Sequence, residues 1–220
     1  MAAARREDPS ACVELSPNHL VGEFAQPDKC WTRRQVQAIL ISIVHEFSTL
    51  LERYNVRYWV DSGTLLGAVR HNGLIPFDQD VDFGIEQAGY ELLRDTRVDV
   101  PDGFALHVYE SAVNDVGRVD NAIPIRFVHR ASGLYADVFA FLDKVDAEGR
   151  HSIGPIPSLC FGGCAHCPST GSGRREFRIP REWVFPLRQC RFEYFLVACP
   201  NDSHRYLTHM FGDYSTPYAD

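Results

Sequence analysis

The feature that most constrains this chain is a pair of aspartates set into an otherwise apolar strand. Tyr58-Trp59-Val60 is apolar and aromatic and reads as a buried strand. A Ser62-Gly63-Thr64 turn follows, then Leu65 to Arg70, a short helix-compatible piece broken by Gly73 and Pro76. A second strand begins near Asp78, with Asp80 and Asp82 on one face and Val81 and Phe83 on the other. Two carboxylates at i and i+2 repel, and each raises the pKa of the other. A hard divalent cation removes that conflict, and Mg²⁺ takes one or two carboxylates together with phosphate oxygens. The glycine turn just upstream exposes unpaired N–H groups at a helix start, which suit a phosphate held beside the metal. A solvated strand edge is the plain alternative for Asp78, Asp80 and Asp82, and the apolar frame and glycine turn weigh against it.

A further carboxylate lies in the apolar run Leu134 to Leu142, where Asp137 is the only charge. Buried alone, it would cost several kcal/mol. Either a buried arginine such as Arg126 pairs with it, or it is the third carboxylate of a metal site.

Gly63-Thr64-Leu65-Leu66-Gly67-Ala68-Val69-Arg70-His71, followed by Ile75-Pro76-Phe77-Asp78-Gln79-Asp80-Val81-Asp82, resembles the signature of the LicD / fukutin / fukutin-related family, a branch of the nucleotidyltransferase-fold superfamily. Phe77 replaces the family's usual Trp and Gln79 a common Asp, and neither departure touches the Asp80/Asp82 pair. Asp137-Val138-Phe139 and Phe211-Gly212-Asp213-Tyr214 are similar to later family segments, so the resemblance runs over about residues 31–218. It implies an α+β fold: a nucleotidyltransferase-like mixed β-sheet flanked by helices, in a single domain. It also implies catalytic Asp80, Asp82 and Asp137 holding Mg²⁺ or Mn²⁺, the last from the strand beside the Asp-x-Asp strand. Gly63 and Thr64 would bind donor phosphate, and Arg70 is a candidate for a bidentate phosphate contact. His71 would either touch phosphate or cap its helix. The implied reaction moves a phospho-alcohol (choline phosphate or ribitol phosphate in family members) from a CDP-linked donor to a hydroxyl of a glycan or glycoprotein. Two alternatives are an Asp-x-Asp metal-dependent glycosyltransferase and a non-catalytic glycan-binding protein on the same fold.

The formal net charge of −7 argues against a general nucleic-acid surface. No apolar run reaches bilayer-spanning length, and Met1–Ser10 lacks the apolar segment of a secretory signal. As given, the chain reads as soluble. Eukaryotic members of the family usually carry a membrane anchor ahead of the domain, and a Golgi or secretory setting follows if such a segment is missing here. Seven cysteines, an odd count without a signal peptide, favour mostly free thiols or a metal cluster over a disulfide framework. Cys160, Cys164 and Cys167 have zinc-like spacing, with His151, His166 or Cys190 as a fourth ligand; free thiols, or a disulfide in a secreted protein, are the alternatives.

Residues 1–28 read as a flexible leader ahead of one domain spanning 29–220. A capping box at Thr32 and Gln35 and a continuous apolar stripe predict a helix over 31–54. Residues 87–96 read as a second helix. Strands are expected at 104–109, 123–128, 134–142 and 190–197, an irregular insertion at 144–180, and a last helix from N-cap Asp202 to Met210.

Overall fold

In the computed structural model, which describes residues 11–26, 28–157, 163–170 and 175–215, the first long helix forms where the capping box stands. Helix α1 (Arg33–Arg53) opens at Thr32, whose hydroxyl accepts the Gln35 N–H while the Gln35 side chain accepts the Thr32 N–H. Its stripe of Val36, Leu40, Ile43, Val44, Phe47, Leu50 and Leu51 is buried, and the helix packs on the sheet. Asn55, just past the helix, turns the chain in the left-handed region at φ 54°.

Strand β1 (Tyr58–Val60), α2 (Ser62–His71), β2 (Val81–Glu86), α3 (Gln87–Asp95), β3 (Phe104–Val108), β4 (Ile125–His129) and β5 (Tyr135–Val145) follow. The strands form a mixed sheet in the order β1-β2-β5-β4-β3, flanked by helices, so the chain is α+β as expected. The β2–β5 pair is parallel, and the other pairs along this path are antiparallel. β2 begins at Val81, so Asp80 belongs to the approach to the strand. Val81, Phe83 and Ile85 bury on one face, which leaves Asp82 and Gly84 on the other.

Two local expectations change. The stretch 144–180 contains β6 (His151–Pro155) and β7 (Ile179–Pro180), and β6 pairs with the far half of β5. Its sequence, His-Ser-Ile-Gly-Pro, has little strand character; pairing with β5 makes it a strand. The single strand expected at 190–197 is a hairpin, β8 (Arg188–Phe192) and β9 (Phe195–Cys199). Its turn puts Glu193 at φ 54°, a conformation glycine or asparagine usually signals. The last helix, α4 (Ser203–Phe211), starts with the Asp202 side chain accepting the Arg205 N–H.

Residues 11–26 correct the expectation of a flexible leader. The Val13 N–H bonds to the Trp31 carbonyl, and the Val21 N–H to the Gly133 carbonyl. The Tyr135 hydroxyl donates to the Asn18 carbonyl, and Val21 is buried. Partners on remote elements hold this segment, which has no periodicity of its own to reveal them. The cysteine expectation is also corrected: Cys12–Cys30, Cys164–Cys167 and Cys190–Cys199 are disulfides. Their Cα separations of 5.1, 5.5 and 5.9 Å are set by the fold and are invisible in a cysteine count.

Candidate active site

The pairing register brings the expected carboxylates side by side. Asp82 on β2 neighbours Asp137 on β5, and Asp137 neighbours Arg126 on β4. Register partners point to the same face, so Asp137 faces the same side as Asp82. The turn after β1 is fastened to this strand. The Asp61 N–H donates to the Asp82 carbonyl at 2.9 Å, and Thr64 Oγ1 accepts the Asp82 N–H at 2.8 Å. Gly63 then lies against the carboxylates: a Cβ there would sit 3.1 Å from Asp78 Oδ2 and 3.9 Å from Asp82 Oδ2. Thr64 is buried, and its hydroxyl oxygen already serves β2. The first-turn N–H groups of Gly63 and Thr64 have no partner within α2, as at any helix start.

Asp61 and Asp78 belong to the cluster although the sequence did not assign them a place at the metal. Asp61 is fully buried; its Oδ1 accepts the Ser62 N–H and the Tyr206 hydroxyl, each at 2.7 Å, and its Oδ2 has no partner. Burial pushes its pKa up to about 6, against the hydrogen bonds from Tyr206 and Ser62. Burial and then the Asp80 charge push Asp78 up to about 7. Asp82 is held well above the usual carboxylate range, by burial first and then by Asp80, Asp137, Asp61 and Asp78. Burial also raises Asp137, opposed by Arg126, whose Nε donates to Asp137 Oδ1 at 2.7 Å. Both readings of Asp137 therefore meet in one residue: it is salt-bridged to Arg126 and it joins the carboxylate group.

These shifts predict a pH signature. Folded Asp78 holds its proton more tightly than unfolded Asp78, so its contribution to stability is full below about pH 4 and lost as pH rises through about 7. Metal-free Asp78→Asn is expected to melt above the wild type at pH 8, with the gap closing toward pH 4. Thermal unfolding in a chelator at several pH values checks it, and a gap that widens on acidification contradicts it.

The chemistry of the donor set fits a divalent cation. Asp61, Asp78, Asp80 and Asp137 all act electrostatically on Asp82, Arg126 pairs with Asp137, and one buried oxygen, Asp61 Oδ2, is orphaned. The oxygens are not tightly gathered. Among the described residues, the one trio of His, Cys, Asp or Glu donors within 4.8 Å of one another is Cys164, Cys167 and His209.

Arg70 and His71 are not brought to this turn. They close α2 while Gly63 opens it, a separation of about 10 Å along the helix at about 1.5 Å per residue. Arg70 is half-buried and His71 exposed. Beside Asp78 opens a cleft of about 480 Å³ lined by Ala11 to Glu14, Arg33, Gln37 and Pro76 to Gln79, into which Phe77 is 71% exposed.

The zinc expectation is corrected at two of its three cysteines. Cys164 and Cys167 are joined, which takes up the thiolates that zinc requires, and Cys160 lies outside the described residues. Of the proposed fourth ligands, Cys190 is bonded to Cys199 and His151 pairs with Asp143 at 3.2 Å. The nitrogen beside the pair is instead His209 Nε2, 3.5 Å from Cys167 Sγ, delivered by α4 from far along the chain.

The mixed sheet thus sets Asp82 and Asp137 side by side on a parallel strand pair, beneath the Gly63 turn. The chain belongs to the LicD/FKTN/FKRP family, whose nucleotidyltransferase-domain profile matches residues 55–202. It is 40% identical over 60 residues to the lipopolysaccharide cholinephosphotransferase LicD of Haemophilus influenzae, covering 27% of this chain and 23% of that protein. It is 29% identical over 167 residues to the human ribitol 5-phosphate transferase FKRP, covering 74% of this chain and 29% of that protein. An uncharacterized protein of Rickettsia prowazekii is 54% identical over 46 residues, 21% of this chain and 17% of that protein. The matched segments thus span less than a third of each relative's length. No helix among the described residues is long and apolar enough to cross a membrane.

Proposed function

We propose that this chain is a metal-dependent phosphotransferase that moves a phospho-alcohol from a CDP-linked donor to a glycan hydroxyl. The observation that carries this reading is the register of Asp82 against Asp137 beneath the Gly63 turn, within a domain whose relatives are named as cholinephosphate and ribitol phosphate transferases. Asp80, Asp82 and Asp137 would hold Mg²⁺ or Mn²⁺, which when bound supplies neutralisation of charge on the pyrophosphate. The Gly63 and Thr64 N–H groups bind donor phosphate at the start of α2. Arg126 fixes Asp137 through Oδ1 and leaves Oδ2 to accept the proton of the attacking hydroxyl. The glycan oxygen bonds to the phosphorus bearing the alcohol, the pyrophosphate P–O bond breaks, and CMP leaves. Arg70, at the far end of α2, serves the part of the donor remote from the carboxylates, so Arg70→Ala is expected to raise KM with little change in kcat. The three disulfides support folding in an oxidising compartment.

The test follows CMP release from CDP-choline, CDP-ribitol and CDP-glycerol with a glycan acceptor, with and without Mg²⁺ or Mn²⁺, beside a panel of sugar nucleotides. Metal-dependent CMP release from a CDP-alcohol is expected. Consumption of a sugar nucleotide alone, yielding a glycoside and a nucleoside diphosphate, replaces the proposal with a glycosyltransferase. No turnover of any donor, with glycan binding retained, replaces it with a non-catalytic protein.

A further inference from the structure

We propose that the segment from Cys12 to Gln26 is a wall of the carboxylate site in which His19 positions Asp80 for the cation, a role that rests on the metal-dependent reading above. The segment precedes the family match over 55–202, so it is outside the part of this chain that the family profile describes.

The docking is made by Gln79, the residue between Asp78 and Asp80. Its Oε1 accepts the Ser16 N–H at 2.8 Å and its Nε2 donates to the Glu14 carbonyl at 3.0 Å. An aspartate at this position would be one methylene shorter and would have no N–H to donate, so it would not make both bonds. Gln79 is thus the departure from the family signature that allows this segment to dock on the loop carrying the metal ligands. The segment is also tied by the disulfide from Cys12 to Cys30 and by the Tyr135 hydroxyl on the Asn18 carbonyl, two residues along β5 from Asp137.

Held this way, the 3-10 turn Pro17–His19 delivers His19 to the site. His19 Nδ1 is buried, makes no hydrogen bond, and lies 3.8 Å from Asp80 Oδ2, while the ring as a whole stays partly exposed. A buried ring nitrogen that makes no hydrogen bond, within ion-pair distance of a carboxylate that the reaction needs, is better explained by a role at that carboxylate than by packing. Carboxylates that ligate metals are themselves held by neighbouring groups, and loss of such a neighbour weakens metal binding about 10–100-fold. His19 is therefore a positioning residue, acting through Asp80.

Calorimetric titration of the whole chain with Mn²⁺ tests this without relying on turnover, with thermal unfolding to confirm that each variant folds. His19→Ala is expected to raise the Mn²⁺ Kd about tenfold. His19→Asn, whose amide nitrogen sits the same number of bonds from Cα as Nδ1, should restore most of that loss. Gln79→Ala, and separately the Cys12→Ser/Cys30→Ser pair, should undock the segment and weaken Mn²⁺ to a similar degree. His19→Ala added to Gln79→Ala should then change little, the signature of two residues acting through one contact. If the wild type binds Mn²⁺ and Asp82→Asn does not, but His19→Ala and Gln79→Ala bind as the wild type does, the inference falls and the metal-dependent reading stands. A wild type that binds no Mn²⁺ removes both.

Discussion

Asp82→Asn is expected to lower transfer by about 10³-fold or more, equivalent to about 4 kcal/mol of lost transition-state stabilisation, while the protein stays folded. The two effects separate because of where Asp82 sits. Burial and four neighbouring carboxylates hold its pKa well above the ordinary range, so in the metal-free protein its charge opposes folding. Asparagine removes that charge and keeps the shape. Metal-free Asp82→Asn should therefore melt at or above the wild type at neutral pH, while Mg²⁺, expected to raise the melting temperature of the wild type by binding the folded state, should not raise that of the variant. Steady-state kinetics with a CDP-linked donor and melting curves with and without Mg²⁺ measure both. A variant that keeps turnover within a few-fold of wild type removes Asp82 from the metal. Asp137→Asn tests a different balance, because it leaves Arg126 without its carboxylate partner at a largely buried position. It should lose activity and also stability, by about 3 kcal/mol.

Gly84→Ala, two residues further along the same face of β2, should do the opposite: leave the carboxylates chemically unchanged and destabilise the fold. A Cβ at 84 would lie 2.3 Å from Trp59 Cε2 and 2.5 Å from both Cζ2 and Nε1. Trp59 has no room to yield. It is fully buried, edge-on to Phe141 at 4.8 Å and to Phe185 at 5.9 Å. One methyl group must therefore displace the indole or spread β1 from β2, and the strand pair that aligns the Gly63 turn with Asp82 goes with it. A loss of about 3 kcal/mol is expected, at the upper end for an overpacked core. Denaturant unfolding reads it as a lowered midpoint. A midpoint within experimental error of the wild type would mean that the indole has another place to go.

The contrast between these two positions shows what a residue pattern conveys. Asp82 announces itself, because a charge repeated at i and i+2 in an apolar strand has few explanations. Gly84 does not, because a glycine in a strand looks the same whether it faces solvent or an indole. The same holds for Gln79. As a departure from a family signature it looked neutral for the metal pair, and only the structure shows its two bonds to Glu14 and Ser16.

What the sequence determined by itself is local or periodic. The capping box of α1 and its apolar stripe, the Asp202 cap of α4, the alternation of β2 and the isolation of Asp137 in β5 all depend on neighbours within a few residues, so they are legible in one dimension. Tertiary structure decided everything that depends on distant partners. It chose parallel pairing of β2 with β5, which sets Asp82 beside Asp137, and it placed Asp61 and Asp78 in the same electrostatic group. It paired cysteines whose count had argued for free thiols, brought His209 to Cys167 from 42 positions away, and folded a segment without periodicity against Asp80. The physical reason is the same in each case. A hydrophobic period or a cap is set by bond geometry along the chain, whereas a register, a disulfide or a docked loop is selected by the closure of contacts between segments that share no local pattern.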